Sequence, residues 1–143
     1  MPDHMPGVPF EREKLIRFHH CDPAGIVFYP QYFMLLNELV EDWYNEGLQV
    51  DFADYHAKQR FGIPLARVEC DFLAVSRQND RVIMRLTVKE LGKSSLKLHI
   101  TMHSTAGEER VRAVMTLVQV SHDTRRSVPF TSDMRSRIER FRA

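Results

Sequence analysis

The chain has 143 residues, with 20 Lys and Arg against 19 Asp and Glu, for a formal net charge of +1. Its 43% hydrophobic and 27% charged residues can supply a core and a solvated surface, which excludes a disordered polyelectrolyte. The near-neutral charge offers no basic excess for non-specific nucleic-acid binding, so any anion must be held by local basic clusters.

In chain order, Met1–Pro9 carries no apolar run, so it does not read as a secretory signal. No later stretch approaches the ~20 apolar residues that a membrane-spanning helix needs. Phe10 to His19 alternates as a strand and ends sharply at Asp22-Pro23-Ala24-Gly25. There Pro presets φ and Gly permits a positive one, as a tight turn requires. Pro30 suits the first turn of a helix, where its missing N–H has no partner to lose. From Gln31 to Glu46 the apolar residues keep helical spacing: Tyr32, Phe33, Leu35, Leu36, Leu39, Val40, Trp43 and Tyr44. The face is wide enough for a helix largely wrapped by other elements, and Gly47 is placed to end it.

A shorter helix is expected near Phe52 to Phe61, and the period then changes to two. Leu65 to Val75 is a long strand. Val82, Met84, Leu86 and Val88 mark a second, Leu96, Leu98, Ile100 and Met102 a third, and Val111 to Val120 a fourth. The joints at Ser76–Asp80, Gly92–Ser94 and Thr105–Glu108 are short enough for hairpins. A charged helix over Met134 to Phe141 closes the chain. Length and pattern predict one domain over 1–143, with its core at about 10–121. An antiparallel sheet curling around one apolar helix, an α+β arrangement, buries both surfaces together.

The segment Phe18-His19-His20-Cys21-Asp22-Pro23-Ala24-Gly25-Ile26-Val27-Phe28-Tyr29-Pro30-Gln31-Tyr32 closely resembles the signature of the 4-hydroxybenzoyl-CoA thioesterase family. The hairpin sequence Lys89-Glu90-Leu91-Gly92-Lys93-Ser94-Ser95 is similar to that family's as well. The resemblance implies a hotdog fold with a five-stranded antiparallel sheet, order 1-3-4-5-2, around one long helix. It also implies a cytoplasmic acyl-CoA thioesterase active as a homodimer or homotetramer. Coenzyme A would enter as part of the substrate, with no separate cofactor.

Thioester hydrolysis needs a nucleophile, or a base that activates water, together with a donor for the oxyanion. The resemblance puts the first on Asp22 and the second on the Tyr29 backbone N–H. Independently of the family, a helix start has free N–H groups and a partial positive charge, and no capping residue precedes Pro30 to occupy them. The plainer reading of Asp22 is an Asx turn, its carboxylate bonding its own backbone.

Family members often carry an acidic residue two positions before the catalytic Asp, where this chain has His20. That imidazole could meet substrate, meet Asp22, or simply end a strand. Gly25, in the turn, joins Phe28 and Tyr32 beside the oxyanion site as candidate acyl contacts. For the CoA phosphates, Lys93 is the first choice and Arg126 the second, among the basic residues Lys89, Lys93, Lys97, Arg125 and Arg126.

Other constellations carry less. His19, His20, Cys21 and Asp22 are adjacent on an extended segment and converge poorly on an ion, and His99 and His103 are about 13 Å apart on a strand, so no metal site is expected. Cys21 and Cys70 read as reduced thiols, with Cys21 a small packed side chain and not a nucleophile. Phe33, Leu36, Trp43 and Tyr44 read as core. Two competing functions share the fold. A hydratase or dehydratase would show His five residues after the Asp, where Val27 stands, and a non-catalytic acyl-CoA binder would not need Asp22.

Overall fold

The computed structural model describes residues 7–143; the first six residues of the N-terminal segment discussed above lie outside them. Five long strands form the sheet: β1 Phe10–Leu15, β2 Leu65–Phe72, β3 Arg81–Leu91, β4 Ser95–Ser104 and β5 Glu109–Val118. All neighbours are antiparallel and the order is β1-β3-β4-β5-β2, the predicted 1-3-4-5-2. The concave face is read directly from the two-residue period. Val82, Met84, Leu86 and Val88, then Leu96, Leu98, Ile100 and Met102, then Val111, Ala113, Met115 and Leu117 are all buried. Helix α1, Tyr29–Asp42, lies against them and buries Tyr32, Leu35, Leu36, Leu39 and Val40. A sheet with one apolar face and a helix with an apolar stripe thus cover one another.

The structure corrects several predicted boundaries. β1 stops at Leu15 and does not run to His19, because Ile16 is taken up by a loop: its N–H donates to Asp80 O and its carbonyl accepts the Asn79 N–H, both at 2.8 Å. The long helix starts at Tyr29, one residue before Pro30, and its last turn, Trp43–Gly47, is π-helical, with Leu48 N–H donating back to Trp43 O at 2.7 Å. Helix α2 covers only Phe52–Ala57. The following Phe61–Gly62 pairs with Val120–Ser121 as a two-residue ribbon. Arg60, at φ 62°, has already broken the helical path.

Helix α3, Ser132–Glu139, is capped by Thr131, whose side chain accepts the Met134 N–H. It sends Met134 and Ile138 into the core, starts two residues before the expected Met134 and ends two short of Phe141, which is buried just beyond it. Beyond α3 the tail extends the sheet edge left open by the short β1. Val88 N–H donates to Phe141 O at 2.9 Å and Ala143 N–H to Val88 O at 3.2 Å. Strand β2 is the other edge; Leu65 and Phe72 at its ends, with Leu73 and Val75 just beyond, are exposed.

Candidate active site

Downstream of Ile16 the chain makes one 3-10 turn, Phe18–His20, closed by the Arg17 N–H donating to His20 Nδ1 at 2.8 Å. Residues 20–28 then fold back as a miniature hairpin. Phe28 N–H donates to His20 O at 2.9 Å, Asp22 N–H to Ile26 O at 3.0 Å, and Gly25 N–H to Asp22 O at 2.9 Å. Gly25 sits at φ +80°, a conformation that glycine adopts without the Cβ penalty. Asp22 is half-buried as a residue, and its Oδ1 accepts the Ala24 N–H at 2.8 Å in an exposed bond. This is the Asx turn of the plainer reading. It occupies one carboxylate oxygen, and among the described residues Oδ2 has no hydrogen-bond partner.

The hairpin is anchored from outside by the loop between β2 and β3. Val27 N–H donates to Ser76 O at 2.9 Å, and Ile26 bridges Arg77. Arg110, on β5, reaches into that loop: Nη1 donates to Val75 O at 3.0 Å, Ser76 Oγ at 3.2 Å and Asp80 Oδ2 at 3.1 Å. Asp80 Oδ2 also accepts the Arg77 N–H at 2.9 Å. That backbone donor, and after it the Arg110 guanidinium, hold the Asp80 carboxyl below the ordinary range despite partial burial. By sequence Ser76–Asp80 reads as a hairpin joint, but β2 and β3 are not neighbours in the sheet, so the segment is a crossover loop. No local signal in either segment announces that Arg110, 30 residues away from Asp80, would fasten it.

Immediately after the hairpin, α1 begins. Tyr29 is its first residue, with Pro30 next and Phe28 extended before it, and no side chain caps the end. Gln31 N–H donates to Phe28 O at 2.8 Å. Among the described residues no backbone or side-chain acceptor takes the Tyr29 N–H. Val27, Tyr29 and Tyr32 line a cavity of about 250 Å³ with Phe72, Leu73 and Val75. The Phe72 ring closes on Tyr32 at 5.5 Å and Tyr29 at 6.4 Å between centroids. Asp22, Gly25 and Phe28 lie on the turn beside this cavity and do not line it. The Phe28 ring is half-exposed and edge-on to Tyr29.

The other predicted site residues are more dispersed. His20 is buried and lines a different cavity, with Lys14 and Glu38. Its Nδ1 is already used by Arg17, and burial, reinforced by the neighbouring His19, lowers its pKa. The ring therefore serves the 3-10 turn and is not grouped with Tyr29 and Tyr32. Both cysteines are free thiols. Burial, then the Asp22 and Asp80 carboxylates, push the Cys21 thiol up, away from the thiolate that a nucleophile needs. Lys93 and Arg126 are exposed on two segments held together by backbone bonds, Gln119 N–H to Ser94 O at 2.8 Å and Phe130 N–H to Lys93 O at 3.0 Å. Among the described residues neither forms an ion pair, whereas Lys97 pairs with Glu90 at 3.6 Å. No group of three His, Cys, Asp or Glu side chains able to hold a metal occurs among the described residues.

Of the helix residues read as core, Leu36, Trp43 and Tyr44 are fully buried and Phe33 is partly buried against them. Phe33 and Leu36 also line a second cavity, of about 610 Å³. That face of α1 could not be told from core by period alone, since both are apolar.

A 1,4-dihydroxy-2-naphthoyl-CoA hydrolase from Synechocystis is 25% identical over 81 residues, 57% of this chain and 58% of that protein. The chain thus aligns with less than two thirds of that relative's length. The enzyme of the same name from Nostoc punctiforme is 23% identical over 107 residues, 75% of this chain and 70% of that protein. The fold superposes on a 1,4-dihydroxy-2-naphthoyl-CoA thioesterase structure from Synechocystis with a TM-score of 0.83 and 20% identity, covering 91% of this chain and 95% of that one. A gentisyl-coenzyme A thioesterase gives a TM-score of 0.82 and 24% identity, covering 90% and 99% respectively. The family profile is broader than the signature read from the sequence, and it matches residues 16–138: the chain is a hotdog protein that belongs to the Thioesterase-like superfamily.

Proposed function

We propose that this protein hydrolyses acyl-CoA thioesters of the 4-hydroxybenzoyl-CoA thioesterase type, releasing a free acid and CoA from an aromatic or short-to-medium-chain acyl group. The observation that carries the reading is the Tyr29 N–H, without an acceptor among the described residues, at an uncapped helix start directly after the turn that holds Asp22. In this reading the thioester oxygen accepts that N–H, and the helix start stabilises the charge developing there. The Asp22 carboxylate, through the oxygen not engaged by Ala24, either attacks the carbonyl carbon or takes a proton from the water that attacks it. In the first route the C–S bond breaks to leave an acyl–aspartyl anhydride, which water then hydrolyses. In the second it breaks as the tetrahedral adduct collapses. In both, CoA leaves as a thiolate that is then protonated. Phe28, Tyr32 and the turn at Gly25 flank the acyl carbon, and Lys93 and Arg126 meet the phosphates of CoA.

The assembly in this reading is a homodimer, or a dimer of dimers, formed through the edge strand β2. Its unpaired backbone and the exposed Leu65, Phe72, Leu73 and Val75 are features that a monomer would have to protect from association.

The decisive experiment measures CoA release from benzoyl-, phenylacetyl- and straight-chain acyl-CoA by the wild type and Asp22→Asn. Asparagine keeps an acceptor for the Ala24 N–H, so the turn persists while the charge is lost. Hydrolysis should fall by at least about 10²-fold with unchanged folding. Equal turnover in the two proteins would sink the assignment.

A further inference from the structure

The larger cavity, about 610 Å³, is not an isolated hole in the core. It neighbours the smaller cavity at the helix start through a ring contact. The Phe72 ring lines the smaller cavity with Tyr29 and Tyr32 and also meets Phe33, which lines the larger one, at 6.3 Å between the two phenylalanine centroids. Phe72 is half-exposed, at 48%, so this contact is not sealed inside the core. From Tyr29 the second cavity follows the same helix past Phe33 to Asn37 and Val40, and Tyr29 to Asn37 is about 12 Å at 1.5 Å per residue.

Its lining is apolar apart from Asn37 and two imidazoles that meet, His56 and His122, ring centroids 5.8 Å apart and nearly perpendicular. The His56 Nδ1–H donates to Phe52 O at 2.7 Å, which leaves Nε2 as the acceptor in the neutral ring. His122 lies over Gly62, where a Cβ would approach its Nε2 to 3.0 Å, so the glycine makes room for the ring. No Lys, Arg, Asp or Glu lines the cavity. An ionised group there would lack a full counter-charge, whereas a hydroxyl, donor and acceptor at once, matches two imidazoles.

Resting on the hydrolytic reading above, we infer that this cavity takes the distal part of an elongated acyl group, and that His56 and His122 select for a hydroxyl on that part. Roughly ten carbons of extended chain, or a ring system of that length, match the about 12 Å of helix from Tyr29 to Asn37 that the cavity follows.

Binding of non-hydrolysable CoA thioethers tests this without requiring turnover. Chains of about ten carbons ending in methyl, hydroxyl or carboxylate are compared by calorimetry in the wild type, His122→Phe and His56→Gln. The hydroxyl-ended thioether should bind about tenfold tighter than the methyl-ended one, the worth of two net hydrogen bonds. His122→Phe, at an exposed residue whose replacement leaves the core alone, should bring that ratio close to one, and His56→Gln should reduce it. A ratio of one in the wild type, a preserved ratio in His122→Phe, or tighter binding of the carboxylate would each overturn the inference. If the discrimination holds while thioesters are not cleaved, only the hydrolytic proposal fails.

Discussion

Arg110 and Asp80 meet at 3.1 Å, and through them a strand in the middle of the sequence's last third holds the turn that carries Asp22. The chain of contacts runs from Arg110 to Ser76 and Val75, and from Ser76 O to the Val27 N–H. Removing the guanidinium leaves Asp80 with a backbone donor only and frees the loop. Arg110→Ala should cost about 1–3 kcal/mol of stability, discounted from a fully buried pair because Asp80 is partly exposed. A larger proportional loss should appear in thioester turnover. Denaturant titration and CoA-release rates, compared with Arg110→Lys, check this. Unaltered turnover in the alanine variant would separate the network from the site.

The same pair predicts acid behaviour. The Asp80 pKa is depressed in the folded state by the Arg77 N–H and Arg110, so the folded protein binds fewer protons at this group than the unfolded chain does. Its contribution to stability is complete above the unfolded carboxylate value of about 3.9 and is lost as pH falls through the lower folded value. Asp80→Asn should therefore be less stable than wild type at neutral pH and converge with it on acidification. Urea melts from neutral pH downward would show it.

His20 gives a second pH signature nearer neutrality. Burial and then His19 lower its pKa, so folding favours the neutral ring. Stability from this group is fully present above the unfolded histidine value of about 6.5 and declines as pH falls through the folded value. His20→Asn, which can still accept the Arg17 N–H, should flatten the stability profile in that window. A profile with the same slope in both proteins would contradict it.

Gly47 ends the long helix for a packing reason. A Cβ there would stand 2.6 Å from Trp43 Cδ1 and 3.2 Å from both Phe10 and Phe141 ring carbons. Gly47→Ala should lower stability by about 1–3 kcal/mol, as overpacking does. Gly25→Ala meets nothing within 4 Å and should cost only about 1 kcal/mol, from its positive φ. Thermal melts of the two variants side by side test the ordering.

The exposed edge supports a last expectation. Val68→Pro, in the middle of β2, removes one edge N–H that a second copy could use. If β2 forms the dimer contact, sedimentation should show dissociation at concentrations where the wild type stays associated. Retention of the wild-type mass would move the contact elsewhere.

How much of this was legible in the residues can be followed element by element. The alternation of Val82, Met84, Leu86 and Val88, and of Leu96, Leu98, Ile100 and Met102, sets which side of each strand is apolar, because successive side chains must point to opposite faces. The broad stripe from Tyr32 to Tyr44 demands a helix wrapped by that sheet, and the turn chemistry of Asp22-Pro23-Ala24-Gly25 places a tight reversal just before a helix with no cap. Those are local consequences of backbone geometry, and they suffice for an antiparallel sheet wrapped around a helix and for the closeness of Asp22 to the helix start at Tyr29.

Contacts distant along the chain are another matter. Whether His20 points to substrate or closes its own turn depends on how Ile16 is captured by Asn79 and Asp80. Whether Phe33 and Leu36 fill core or line a cavity depends on how far α2 and the Phe61–Gly62 ribbon stand off from α1. The meeting of His56 with His122, and of Arg110 with Asp80, likewise leaves no trace in nearest-neighbour pattern. Periodicity reports which face is apolar; only the closed fold decides what that face encloses, because the space between packed elements is a property of both partners and is written in neither alone.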